Sequence, residues 1–156
     1  MSLQPGIKAP DFSLYNTEKE KVSLQDYKGR KLLILFFPLA FTSTCTKELC
    51  SVRDGITKYA DMDADVVAIS VDSIFTLLKF REEQHLNFPL LSDFNKETSE
   101  AYGSLYTTFG FDMKGVSKRS AFVVDREGIL VYTEVLENAG EVPDFDKIVA
   151  AIKSIA

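Results

Sequence analysis

The sequence has no tryptophan, a single histidine and only two cysteines, Cys45 and Cys50. One histidine and two cysteines fall short of the three or four nitrogen and sulfur ligands of a zinc site, so no metal or other cofactor is expected. The two cysteines are spaced C-x4-C, and the C-x-x-C pair of a dithiol-exchange helix is missing. Positive charge is scarce: 18 Lys and Arg stand against 23 Asp and Glu, a net charge of −5. That balance argues against a nucleic-acid partner, which needs clustered cations for its phosphates. No apolar run approaches the roughly 18 residues of a spanning helix, so no membrane partner is expected either. The N-terminal MSLQPGIKAPDF lacks the basic and apolar regions of a secretory leader. A cysteine-poor chain of this kind points to a reducing compartment, the cytoplasm, where thiols are more often reactive than bridged. Repeats, low-complexity segments and linkers are absent, and 156 residues make one domain, 1–156, able to bury a core.

What is present is concentrated between Lys31 and Cys50, KLLILFFPLAFTSTCTKELC. Leu32 to Phe37 is unbroken apolar sequence, stopped by Pro38, and predicts a strand covered on both faces. After a short loop, Leu49, Val52, Ile56 and Tyr59 recur at three- and four-residue steps and predict a helix over 45–60. Thr42, Ser43 and Thr44 offer N-caps for it. Cys45 would then occupy the first turn, where free N–H groups and the helix dipole favour an anion and populate the thiolate.

Around this stretch the chain orders itself simply. Residues 1–12 read as a loop. Phe12, Leu14 and Tyr15, then Val22 and Leu24, flank a polar turn and predict a hairpin. Val66–Val71 is a second buried strand, and Ser73 caps a helix to about His85. An extended piece follows over 87–92, a short helix over 93–101, and a loop over 103–117. Ala121–Val124 and Ile129–Val135 are strands joined by a turn at Asp125–Gly128, and a helix over 144–156 closes the chain. This order predicts an α/β protein whose mixed central sheet carries helices on both faces, with an N-terminal β-hairpin extension. It resembles a thioredoxin-like fold.

Pro38, Thr42 and Cys45 form P-x-x-x-T-x-x-C, with Glu48 three residues beyond. This resembles the active-site signature of the peroxiredoxins, thiol peroxidases of the alkyl hydroperoxide reductase superfamily. The resemblance extends through APDF (9–12), VSLQDYKG (22–29), SVD (70–72), FPLLSD (88–93) and KRSAFVVDREG (118–128). Such an enzyme attacks R–O–O–H with a thiolate, and charge develops on the departing oxygen. Cys45 is the candidate nucleophile, and its product is a sulfenic acid. Thr42 lies where its hydroxyl can reach sulfur and peroxide, and Pro38 closes the pocket against water. A permanent positive charge is still needed. By resemblance it is Arg119, just before the strand SAFVVD, with Glu48 orienting it.

The C-x4-C spacing is that of the Q-type (bacterioferritin comigratory) subgroup, in which the second cysteine resolves the sulfenic acid to a disulfide. PLAFT and SVDSIFTL resemble instead the E-type, which often lacks that cysteine. On a regular helix Cys50 lies roughly 130–140° and about 7.5 Å from Cys45, off the apolar stripe, so a bond between them requires unwinding. The resemblance implies a peroxide substrate, a dithiol reductant such as thioredoxin or glutaredoxin, and a monomer or homodimer. Two alternatives stay open: a one-cysteine peroxidase recycled by an external thiol, and a thiol redox sensor.

Overall fold

The computed structural model describes residues 3–156; the first two residues of the expected N-terminal loop lie outside the described residues. Seven strands form one mixed sheet in the order β2-β1-β5-β4-β3-β6-β7. They are β1 (Ser13–Asn16), β2 (Lys21–Ser23), β3 (Lys31–Phe36), β4 (Ala64–Ser70), β5 (Leu90–Ser92), β6 (Ser120–Val124) and β7 (Leu130–Val135). β3, β4 and β5 run parallel; β6 lies antiparallel beside β3, and β7 pairs antiparallel with β6 and so runs with the central strands again. The expected N-terminal hairpin is β1–β2, joined to the sheet by antiparallel pairing of β1 with β5.

The central strands are apolar throughout because both their faces are covered. Leu33 and Leu35 point into one core with Leu49, Val52, Tyr59, Leu77, Phe80, Ile148 and Ile152. These come from α1 (Ser43–Asp54), α2 (Ile56–Asp61), α3 (Ile74–Glu83) and α5 (Phe145–Lys153). Leu32, Ile34 and Phe36 point the other way, against Phe12, Leu24, Tyr102 and Phe122. There Phe36, Tyr102 and Phe122 pack ring against ring with centroids 5.0–5.8 Å apart. The Tyr102 hydroxyl donates to Pro10 O at 2.6 Å, satisfying its one buried polar atom. This second face is closed by the N-terminal segment, a 3-10 turn at Leu24–Tyr27 and the end of α4 (Glu97–Ala101).

Several boundaries depart from expectation for local physical reasons. The helix expected over 45–60 starts at Ser43 and breaks at Gly55 into α1 and α2. Glycine costs a helix interior roughly 1 kcal/mol, and the apolar period continues across it, which hides the break. The helix expected from Asp93 begins only at Glu97: the Asp93 carboxylate accepts from Thr98 and Ser99 N–H at 3.1 and 2.6 Å, capping the turn from outside. The closing helix ends at Lys153, with Asp144 accepting from Lys147 N–H at its start. The loop over 103–117 contains a 3-10 turn at Gly110–Asp112 and a bridge between Leu105 and Ser117.

Candidate active site

Sheet register brings the site together. β6 pairs antiparallel to β3 with Ser120 opposite Phe36, so Arg119 lies beside the end of β3, where the chain leaves for Pro38. The loop 38–42 delivers the chain to α1, with Thr42 as its N-cap residue in extended conformation. Cys45 and Glu48, one turn apart, share the helix face that meets Arg119. All three are essentially inaccessible to solvent, at 0%, 2% and 1% exposure.

Arg119 is the centre of the geometry. Its Nη2 donates to Cys45 Sγ at 3.1 Å and its Nη1 to Glu48 Oε1 at 2.7 Å. Nε and Nη2 also donate to Ala139 O, at 3.2 and 3.0 Å. Burial alone lowers the basicity of this guanidinium, yet the electrostatic and hydrogen-bonding interactions with Cys45 and Glu48 outweigh it and push Arg119 above its ordinary value. Burial raises the Glu48 carboxyl to about 7, and the charge and hydrogen bond of Arg119 offset part of that rise. Glu48 Oε2 has no hydrogen-bond partner among the described residues, in keeping with a carboxyl poorly compensated for its burial.

The other expected residues are placed less uniformly. Pro38 is buried at the end of β3. Thr42 caps by position only: its hydroxyl donates to Leu39 O at 2.8 Å and makes no side-chain bond to the helix. That corrects the expectation of a capping threonine hydroxyl: its proton is committed to Leu39 O, so toward any further partner the Thr42 oxygen is an acceptor. Among the described residues no hydrogen bond joins Thr42 to Cys45. Cys50 is half-buried and packs against the same core as Cys45, although it lies off the apolar stripe. Its Sγ donates to Gln84 Oε1 at 3.5 Å, and both cysteines are free thiols.

The AhpC/TSA family profile matches residues 5–133. The chain belongs to the AhpC/TSA family. Peroxiredoxin Bcp of Bacillus subtilis is 38% identical over 133 residues, 84% of each chain. Alkyl hydroperoxide reductase E of Mycobacterium tuberculosis is 39% identical over 145 residues, 91% of each. The crystal structure of peroxidoxin BcpB from Mycobacterium tuberculosis superposes with a TM-score of 0.85 at 26% identity, covering 99% of both chains. The fold is therefore the thioredoxin-like α/β fold of the peroxiredoxins, and the protein is an oxidoreductase of the peroxidase class. Likenesses to both Bcp and the E-type reductase recur, at nearly equal identity.

Further contacts of this AhpC/TSA protein lie outside the expected site residues, and of these only Ser70 and Asp72 fall in a segment the sequence singles out. Ala139 acts through its main-chain carbonyl, which any residue could supply. Asp72, within SVD, accepts from Ala40 N–H at 2.8 Å and so ties the loop before Cys45 to the end of β4. Ser70 Oγ braces the same carboxylate at 2.7 Å. Gln84 meets Cys50 only because α3 packs its last turn beside α1.

Proposed function

We propose that this protein is a thiol-dependent peroxidase that reduces hydrogen peroxide and organic hydroperoxides at Cys45. The observation that carries the reading is the Arg119 guanidinium 3.1 Å from Cys45 Sγ, buried away from water. A cation at that distance attracts a thiolate more strongly than a thiol. The thiolate attacks the terminal oxygen of R–O–O–H; the O–O bond breaks, an S–O bond forms, and Cys45 becomes a sulfenic acid while R–O⁻ takes up a proton. Arg119 donates to the charge developing on the oxygens. Thr42 accepts the peroxide hydrogen with a free lone pair, backbone N–H groups near Thr44 add donors, and Pro38 keeps water from the sulfur. Glu48 holds the guanidinium at the angle this needs.

Cys50 then resolves the sulfenic acid to an intramolecular disulfide, and a dithiol such as thioredoxin or glutaredoxin restores both thiols. The enzyme works in the cytoplasm as one domain spanning 1–156, as monomer or homodimer. One observation favours a second reading, a one-cysteine peroxidase recycled by an external thiol: Cys50 is half-buried and hydrogen-bonded to Gln84, not poised toward Cys45. Peroxide consumption by Cys45→Ser and Cys50→Ser variants, with mass spectrometry of protein treated with one equivalent of peroxide, tests both. Loss of activity in Cys45→Ser and a disulfide in the wild type are expected. Full activity in Cys45→Ser would sink the peroxidase assignment of that sulfur. A stable sulfenic Cys45 beside an alkylatable Cys50 selects the one-cysteine scheme.

A further inference from the structure

α1 is tethered at two places. Its N-terminal half is held by Arg119 through Cys45 and Glu48. Its C-terminal half is held by the end of α3, where Gln84 is the C-cap residue. Gln84 Oε1 accepts from Cys50 Sγ at 3.5 Å, and Gln84 O accepts from Arg53 Nη1 at 2.6 Å. Asn87 Nδ2 returns a bond to Arg53 O at 3.3 Å. An arginine on the last carbonyls of a helix is favoured by the dipole, so this is a firm attachment point.

We infer that Gln84 is a positioning residue for the resolving step, a latch that holds the Cys50 thiol on α3 and sets how fast Cys50 reaches the oxidised Cys45. The inference rests on the proposed role of Cys50 as resolving thiol. For the bond to form, α1 must unwind between the two cysteines, and among the described residues the one side-chain tie on the Cys50 sulfur that must break is to Gln84. Cys50 then attacks Cys45–S–OH; the S–S bond forms, the S–O bond breaks, and the thiol proton leaves with hydroxide as water. Electrons balance without a further oxidant, because Cys45 was oxidised by peroxide in the step before. While Cys50 is latched, Cys45–S–OH waits and is exposed to a second peroxide, which carries it to the sulfinic acid. The latch thus divides sulfenic acid between the disulfide and irreversible oxidation.

The test compares wild type, Gln84→Leu and Gln84→Glu, following disulfide formation by rapid quench and sulfinic Cys45 by mass spectrometry across a peroxide series. Gln84→Leu removes the acceptor but keeps the main-chain carbonyl for Arg53. Disulfide formation should then be about two- to tenfold faster, the range one ordinary hydrogen bond commands. Sulfinic Cys45 should fall accordingly, and Gln84→Glu, which keeps an acceptor beside Arg53, should return to the wild-type rate or below. An equal or slower rate in Gln84→Leu overturns the latch while leaving Cys50 as resolving thiol. An equally fast Gln84→Glu overturns it too, since packing rather than the acceptor would then be at work. A disulfide in Gln84→Leu but none in wild type supports the latch and makes the wild type a one-cysteine enzyme. No disulfide in any of the three proteins overturns both readings together.

Discussion

Arg119 meets three partners with one guanidinium: a sulfur, a carboxylate and a main-chain carbonyl. Its planar fork allows this, and an ammonium cannot reproduce it. Arg119→Ala should therefore slow peroxide reduction by about 10²–10³, as loss of one preorganised donor does elsewhere, and Arg119→Lys should recover only part. Stopped-flow rates with hydrogen peroxide decide it; a wild-type rate in the alanine variant would remove the arginine from the chemistry. Glu48 makes a prediction of a different kind. Its carboxyl is raised to about 7 in the folded protein by burial, from an ordinary value of 4.5. The folded state then holds a proton that the unfolded chain releases. The associated stability is full below about 4.5 and is lost as pH rises through about 7, up to about 3 kcal/mol in all. Urea unfolding of wild type should weaken over that window relative to Glu48→Gln, which has no proton to release at this position. Parallel curves would mean that burial does not govern this carboxyl.

At the scale of elements, α1 carries both the proposed nucleophile, Cys45, and the thiol proposed to resolve it, and through that cycle it could not keep its shape. Cysteines at i and i+5 are separated along and around the helix axis by more than a disulfide spans. Oxidation with one equivalent of peroxide should reduce the helical far-UV signal and speed amide exchange over residues 45–53. Unchanged exchange in protein shown to carry the disulfide would contradict the helix geometry itself. Unwinding gives up a few backbone hydrogen bonds at about 0.5–1.5 kcal/mol each, within reach of a domain stable by roughly 5–15 kcal/mol. The extent of α1 is also where reading the chain and seeing it diverge. β3 was legible because six consecutive apolar residues, Leu32–Phe37, leave few other options, and β4 and β6 through shorter runs of four, Val66–Ile69 and Ala121–Val124. The break at Gly55 was not, since Ile56 and Tyr59 continue the helical period. Cys45 stands out by its place in the first turn of a helix, whereas Glu48 and Arg119 enter through a family resemblance, and the meeting of all three follows from the β3–β6 register, which no local pattern encodes. The carbonyl of Ala139 and the side chain of Gln84 enter through tertiary packing alone and leave no mark on composition or spacing.

For the molecule as a whole, the Arg119–Glu48 pair is an expensive thing to place in a core. Both side chains are removed from water, at 1% and 0% exposure, and one carboxylate oxygen has no partner among the described residues. Desolvating two charges costs several kcal/mol per ion, and the attraction between them recovers this only when every remaining polar atom is satisfied. The pair is retained, on this reasoning, for what it does to Cys45 and not for what it adds to stability. The consequence can be measured. Glu48→Leu alone leaves a buried guanidinium without its carboxylate and should destabilise the protein by roughly 3–5 kcal/mol. Glu48→Leu combined with Arg119→Met removes both charges and fills similar volume. It also frees the Ala139 carbonyl, whose loss of donors costs about 1–3 kcal/mol if the loop keeps it from water. Against this stands a gain of about 1–4 kcal/mol from replacing a buried pair by apolar side chains. The double variant should therefore unfold in urea close to wild type, well above the single variant, while its peroxide reduction falls as far as that of Arg119→Ala. A double variant less stable than Glu48→Leu alone would show that the pair holds the fold together, and the argument that function maintains it would fail.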